Sequence, residues 1–458
     1  MNLKMPSNNK LAAAIREYSD SNAVRFHMPG HKGRIKNDLL SSAARFDVTE
    51  LAMTDDLNEP CGVIASLETE LAGIYSAKHS IMLVNGSTTG NIAMLASIGQ
   101  SKRILLARDC HKSALAGAAL AGHEVISLFP DTELSVITPE SVEAALSESS
   151  FDAVFITSPT YYGQCCDVDA IADIVHAHGC KLFVDSAHGA HFPFSEQLPC
   201  SPVRSDAWVV SCHKTLPSFT QTAILNIGAS NDIDPKEMQK YVSLIQSSSP
   251  SYILMLSVEN CFSENICSDW EHHCIRITEL RKRIAAIPGL KLIHSSGSYD
   301  LTRLCISSSC TDGYSLAARL AAHNIYVEMA DSECVVLITT PNDTEQDYET
   351  LISALSLISK MNEADQQKQM YSSPAYYPSE SAISIRDAIL GQSEYVSLEL
   401  SVGRIAAAGV GAYPPGIAAL FPGEYITEEA AAYLCDIVQR GAKLFGTDNG
   451  LIPVCVRK

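Results

Sequence analysis

The sequence predicts an α/β chain built around a mostly parallel sheet, followed by a smaller α/β unit. Two observations carry this. Short apolar, β-branched runs alternate with helical patterns from about residue 80 to residue 230, the order that βαβ units impose. Those runs end in polar or glycine-containing turns, where open α/β sheets place their ligands.

Taken in order, strands are expected at residues 80–84, 103–107, 153–157, 181–185 and 207–211. Each is a five-residue run with three or four apolar residues, many of them β-branched. Between them, Ile171, Ile174 and Val175 recur at helical spacing within 169–178. The smaller unit begins near Pro288-Gly289, with strands at 303–307, 326–329 and 334–339 and helices at 313–322 and 345–360. Residues 362–381 are polar and contain prolines, as an exposed connector would. A closing segment rich in glycine and proline follows, including Gly403, Gly409, Gly411, Pro414, Pro415, Gly416, Pro422 and Gly423. The division is therefore an N-terminal arm (1–45), a large domain (46–290), a small α/β domain (291–361) and a linker with a C-terminal unit (362–458).

The 458 residues are 46% hydrophobic, enough to bury at least one large core over two or three domains. Lys+Arg 33 against Asp+Glu 52 gives a net charge of -19, and no run of basic residues appears. This argues against a nucleic-acid protein and leaves cationic partners open. No stretch approaches the roughly 20 apolar residues of a membrane span, and residues 1–20 lack the apolar core of a secretion signal. Fifteen scattered cysteines without a CxxC pair fit a reducing compartment, so a cytoplasmic protein is expected.

Chemistry is concentrated at the strand ends. Ser211-Cys212-His213-Lys214-Thr215 follows the apolar run ending at Val210. A lysine there can form an imine, since partial burial lowers its pKa and exposes the neutral amine, whereas a lone lysine is more often a surface residue. Lys181-Leu182-Phe183-Val184-Asp185 is another strand ending in a carboxylate, followed by Ser186-Ala187-His188-Gly189. Pyridoxal phosphate needs a lysine for its aldehyde and an acid to keep its ring nitrogen protonated, and the ordered pair points to that cofactor.

Asn85-Gly86-Ser87-Thr88-Thr89-Gly90-Asn91 precedes a helical pattern beginning near Ile92. It is either a phosphate cradle or a glycine turn before a helix cap, and it lacks the lysine of a nucleoside-triphosphate loop. His111, also past a strand, could stack on a flat cofactor, act as an acid or base, or be a loop residue. Two sets, His176 with His178 and Cys180, and Cys267 with His272, His273 and Cys274, lack the paired spacing of a closed zinc site, so no metal is expected. Gly403-Arg404 offers a cation for a carboxylate, or an ion pair.

In this order the motifs resemble the pyridoxal-phosphate-dependent ornithine/lysine/arginine decarboxylases of fold type I, the aspartate aminotransferase-like class, in the short form without an N-terminal receiver-like domain. The resemblance rests on Met28-Pro29-Gly30-His31-Lys32-Gly33, Asp47 to Leu51 with Asp55-Asp56-Leu57, Asn85 to Gly90, His111-Lys112-Ser113, Ser158-Pro159-Thr160-Tyr161-Tyr162-Gly163, Asp185 to Gly189, Ser211 to Leu216, Ser248 to Tyr252, and Tyr413-Pro414-Pro415-Gly416-Ile417.

It implies that Lys214 bonds to the pyridoxal 5'-phosphate aldehyde, that Asp185 pairs with the ring nitrogen, and that His111 stacks on the ring, positioned also for proton transfer. Gly86, Ser87, Thr88, Ser211 and His213 would hold the phosphate, and Ala187 and His188 would lie beside the ring. Ser248 would lend its hydroxyl to a partner's phosphate across a homodimer interface to which residues 1–45 contribute. The implied reaction is decarboxylation of arginine, lysine or ornithine, feeding polyamine synthesis. An aminotransferase, an eliminating lyase or a cofactor-binding homologue without turnover are the alternatives. Departures from the family pattern occur at Cys61, where a glutamate is common, and at Ala408 and Ala418.

Overall fold

The computed structural model describes residues 10–21, 23–131, 136–229, 232–294, 297–361 and 379–456. Among them, a seven-stranded sheet is formed by β1 (His79–Leu83), β2 (Arg103–Ala107), β3 (Glu124–Leu128), β4 (Ala153–Thr157), β5 (Lys181–Asp185), β6 (Ala207–Ser211) and β7 (Ala223–Ile227), in the order β1-β7-β6-β5-β4-β2-β3. The pairs from β3 through β2, β4 and β5 to β6 are parallel, and β7 runs antiparallel to both β6 and β1. Leu83 and Ser211 both pair with Ala223, so β1 ends at the same edge as the parallel strands.

Both faces of this sheet are covered, which is why its strands read as unbroken apolar runs. Leu105, Val154, Leu182, Val184 and Trp208 face one core, while Ile104, Leu106, Phe155, Phe183 and Val209 face the other. Two strands escape the sequence reading because polar residues interrupt them. β3 opens on Glu124, and β7 carries Asn226, which is buried and accepts a hydrogen bond at 2.6 Å from the hydroxyl of Ser80, its register partner on the adjacent strand β1. The bond satisfies the Asn226 oxygen, while a polar residue at this position breaks the apolar pattern that advertises a strand.

A second sheet, ordered β10-β11-β9-β8, comprises β8 (Leu290–Leu292), β9 (Arg303–Ser308), β10 (Met329–Ala330) and β11 (Cys334–Ile338), with the helices Gly313–Ala322 and Glu345–Met361. The strand expected at 326–329 is mostly absent: pairing begins only at Met329, and Tyr326 is exposed. Asn324, in left-handed backbone at φ 60, turns the chain immediately before it. The connector expected at 362–381 lies outside the described residues up to residue 378.

The closing segment forms the helix Glu428–Gln439 and two short ribbons, β12 (Ser393–Val396) with β15 (Ile452–Cys455) and β13 (Gly411–Ala412) with β14 (Leu444–Phe445). It is fastened to the large sheet by Arg108, whose guanidinium makes two bonds to the Glu424 carboxylate at 2.6 and 2.8 Å and lies 3.6 Å from the Phe421 ring centroid. Breaking a buried pair of this kind costs about 3–5 kcal/mol, because the surviving charge is left without a partner.

Candidate active site

The parallel strands β2, β4, β5 and β6 deliver Arg108 to His111, Ser158 to Gly163, Asp185 to His188, and Ser211 to Lys214 to one edge of the sheet. The helix Gly86–Ser97 lies over them. Gly90 is what lets it approach, since a Cβ there would sit 2.6 Å from the Val209 side chain.

Asp185 is buried at the end of β5. Its carboxylate accepts one bond from Asn91 Nδ2 at 2.7 Å and one from the Ala187 amide at 3.0 Å. Asn91 also donates to Ser113 Oγ at 2.9 Å, and Ser113 Oγ lies 2.8 Å from His111 Nδ1. The Ser113 backbone N–H, which can only donate, points at the same Nδ1 from 3.2 Å. Nδ1 is therefore an acceptor, and the neutral ring carries its proton on Nε2. Burial keeps the ring neutral, pushing its pKa down to about 4 although Asp185 pulls the other way. Gly416 lies against this edge; a Cβ there would come within 3.3 Å of Nε2.

A second chain of contacts surrounds Lys214, which occupies the single-turn helix Cys212–Thr215 directly after β6. Lys214 Nζ lies 2.9 Å from His188 Nε2, and Arg303 Nη2 lies 2.7 Å from His188 Nδ1. Arg303 can only donate, so Nδ1 accepts and the neutral His188 ring has its proton on Nε2. Burial holds His188 well below its ordinary pKa, with the charges of Lys214 and Arg303 acting in the same direction. The bond to Lys214 then runs from Nε2–H to the amine lone pair, which only the free base has. Burial likewise lowers the Lys214 pKa, opposed by Asp185 and reinforced by Arg303.

Behind Arg303, Asp300 is fully buried and lies 3.2 Å from His191 Nε2. Burial alone would raise its pKa, but His191 and Arg303 hold it at about 2.

The residues present fit a phosphorylated aldehyde cofactor. Ser211 Oγ and Thr215 Oγ1 are buried without a hydrogen-bond partner among the described residues, as hydroxyls awaiting an acceptor would be. The helix Gly86–Ser97 starts at Gly86 (φ +76), earlier than the expected position near Ile92, so Gly86, Ser87 and Thr88 form its first turn. Asn85 makes no side-chain cap bond there, and uncapped first-turn amides suit an anion. The Gly86 amide itself is already used, donating to Gln221 O at 2.7 Å. His213 donates Nδ1–H to the Thr222 carbonyl at 3.0 Å, leaving Nε2 to face an anion. Ser248 is exposed in the segment after the helix Pro235–Ile245, and nearby Gln246 accepts from the Val84 amide at 2.9 Å, at the end of β1.

The remaining candidate residues have partners of their own. Arg404 pairs with Glu394 and the Cys455 carbonyl, which answers the choice at Gly403-Arg404 in favour of an ion pair. His176 bonds Asp206, His178 bonds Glu143, and Cys180 bonds the Phe151 carbonyl. His273 and Cys274 are core residues of the helix Ile266–Ala285. Cys61 is exposed beside Asp55, whose carboxylate accepts amides from Cys61, Gly62 and Ile64 at the start of the helix Val63–Ile74. Ala418 is fully buried in the apolar layer that contains Leu115.

Asn91 and Tyr161 lie within motifs noted in the sequence and Arg303 opens an expected strand, but no individual role for any of them was legible there. Within the helix Gly86–Ser97, a polar residue directly before the apolar run from Ile92 to Ala96 was the available signal for Asn91.

Residues 10–303 match the Orn/Lys/Arg decarboxylase major domain, and residues 364–447 the Orn/Lys/Arg decarboxylase C-terminal domain. The chain is 31% identical over 459 residues to the uncharacterized protein YaaO of Bacillus subtilis, covering 94% of each. It is 30% identical to an arginine decarboxylase of Bacillus anthracis, over 96% of this chain and 95% of that one. In fold it is similar to the constitutive lysine decarboxylase of E. coli, with a TM-score of 0.82, 17% identity and coverage of 98% of this chain and 82% of that one. The lysine decarboxylase LdcF of Francisella novicida gives a TM-score of 0.81 at 18% identity, over 97% and 80% of the two chains. The strand-end geometry and these likenesses lead to one statement of kinship: the chain belongs to the Orn/Lys/Arg decarboxylase family.

Proposed function

We propose that this protein decarboxylates a basic amino acid, arginine, lysine or ornithine, to the corresponding amine and CO2, using pyridoxal 5'-phosphate held by Lys214. The observation that supports this best is a buried amine at Lys214, its pKa lowered by burial, beside a buried carboxylate at Asp185, with unpartnered hydroxyls around them. When bound, the cofactor supplies an electron-accepting ring that stabilises the charge left at the substrate α-carbon.

The chain's own residues do the rest. Asp185, oriented by Asn91 and the Ala187 amide, presents its carboxylate to a protonated ring nitrogen. Burial and the contact with His188 Nε2 favour the neutral amine of Lys214, the form that attacks an aldehyde. His111 holds a proton on Nε2, the atom from which it can be delivered to the pocket. Ser211, Ser87, Thr88 and the Gly86 turn would take the phosphate, and an anion at His213 Nε2 would favour the protonated ring.

Exposed Val24, Phe26, Met28, Leu39 and Leu40 cluster in the N-terminal arm, and such surface suits the cover a homodimer would provide, with Ser248 reaching the partner's phosphate. No helix among the described residues is long and apolar enough to cross a membrane, and the cytoplasm and polyamine synthesis are the setting we infer.

Cofactor-loaded protein incubated with a panel of amino acids should release CO2 and an amine from a basic one. Lys214→Ala should lose both the visible absorption band and turnover. Release of a keto acid without CO2, or a protein that never takes up the cofactor, would refute the proposal.

A further inference from the structure

Tyr161 and Tyr162, in the turn after β4, each end on an acid of the small sheet. Tyr161 Oη donates to Glu328 Oε1, and Tyr162 Oη donates to Asp331 Oδ2 at 2.6 Å. Both rings pack on an apolar cluster of Cys305, Met329, Cys334 and Val336, which fixes the two tyrosines against the sheet.

The two pairs differ in what else they touch. Tyr161 meets His188 edge-on, with ring centroids 4.6 Å apart, and Lys214 Nζ lies 5.8 Å from the Tyr161 ring centroid. One phenol therefore spans from the reactive amine to a carboxylate. Glu328 is held by its backbone as well, its N–H donating to the Val336 carbonyl at 3.0 Å immediately before β10. The carboxylate is exposed, so a solute can reach it while Tyr161 keeps it in place.

We infer that Glu328 is the group that receives the cationic end of the substrate side chain, with Tyr161 as its positioning residue. This rests on the proposed decarboxylase reading. An amino acid reacting at Lys214 places its α-carbon at the Lys214 end of Tyr161. An extended side chain of arginine, lysine or ornithine then carries its charge away from the amine over a distance comparable to a phenol and its hydrogen-bonded acid. A held carboxylate recognises that cation by charge and by acceptor geometry, and it rejects an uncharged analogue, which would leave the acid without a counter-ion. The charge of Glu328 is already felt at Lys214, where it opposes the lowering that burial causes. Asp331 anchors the turn instead, accepting from Tyr162 Oη at 2.6 Å and from the Glu333 and Cys334 amides at 2.7 and 2.8 Å.

The test is titration of the cofactor-loaded protein with amino acids, following the change in visible absorption, alongside CO2 release. Arginine is compared with citrulline, and lysine with norleucine. Glu328→Gln should weaken binding of the basic amino acid by about 10- to 100-fold and that of its uncharged analogue far less, so that the preference collapses. Glu328→Asp, which keeps the charge, should restore part of the preference, and Asp331→Asn should retain it. An unchanged preference in Glu328→Gln overturns the inference. Because binding is read directly, wild-type protein that prefers the cation through Glu328 but releases no CO2 would support the inference and defeat only the decarboxylase reading.

Discussion

Lys214 and Glu328 lie at opposite ends of Tyr161, and their surroundings differ in kind. Around Lys214 the neighbours His188, Arg303 and Asp185 are all at least 95% buried. There each proton position follows from one group that cannot change, the Arg303 guanidinium, which makes His188 an acceptor on one side and a donor on the other. Around Glu328 the carboxylate is open to solvent, and only its direction is constrained, by one phenol and one backbone bond. Burial thus constrains proton positions at the chemical end, while exposure leaves the recognition end open to a solute. Reaction requires the first and discrimination the second.

The comparison can be broken most severely at Asn91, the residue that aims Asp185. Asn91→Leu removes a bond to a charged acceptor and leaves Ser113 unsupported, a loss of about 1.5–3 kcal/mol. Turnover should fall by about 10- to 100-fold. The visible band of the loaded protein should also change its pH dependence, a signal that a purely structural role for Asn91 would leave in place.

A smaller effect is expected at Arg303. An amine below its pKa is protonated and cannot attack, so lowering the Lys214 pKa extends the reactive range to lower pH. Arg303→Met removes a positive charge and frees His188 to accept from a protonated lysine, and both changes raise the Lys214 pKa. The pH at which cofactor-free protein captures the aldehyde at half its maximal rate should move up by about one unit. Arg303→Lys, which keeps charge and donor, should stay near the wild type. An unshifted profile in Arg303→Met would remove Arg303 from this role.

The smallest effect is expected at Cys61. Its side chain is exposed; its amide makes the 3.0 Å bond to Asp55 Oδ1, and its thiol adds only a long contact of 3.6 Å to the same oxygen. Cys61→Ala should therefore leave the melting temperature unchanged to within a degree or two and the Kd for the basic amino acid unchanged to within about twofold. A larger change in amino-acid preference would show that the recognition end extends to this loop.

Local pattern made much of the scaffold readable. The strands at 103–107, 153–157, 181–185 and 207–211 are continuous apolar runs because the sheet is covered on both faces, and their boundaries coincide with β2, β4, β5 and β6. Lys214 and Asp185 stood out because each is a charged residue at the abrupt end of such a run. β3 and β7 did not: β3, at the sheet edge, is only partly buried and carries Ser127, and Asn226 interrupts β7.

Composition, strand spacing and the order of short motifs were sufficient to infer the α/β architecture, the family and the pair Lys214 and Asp185. Those features are encoded within a few residues of one another, where periodicity and backbone preference act. The partners that set proton positions and charge came only with folding: Asn91 to Asp185, Arg303 to His188, and Glu328 to Tyr161 are contacts between residues 94, 115 and 167 positions apart. No local pattern specifies such pairs, because what joins them is the packing of a helix over one sheet and of a second sheet against its edge.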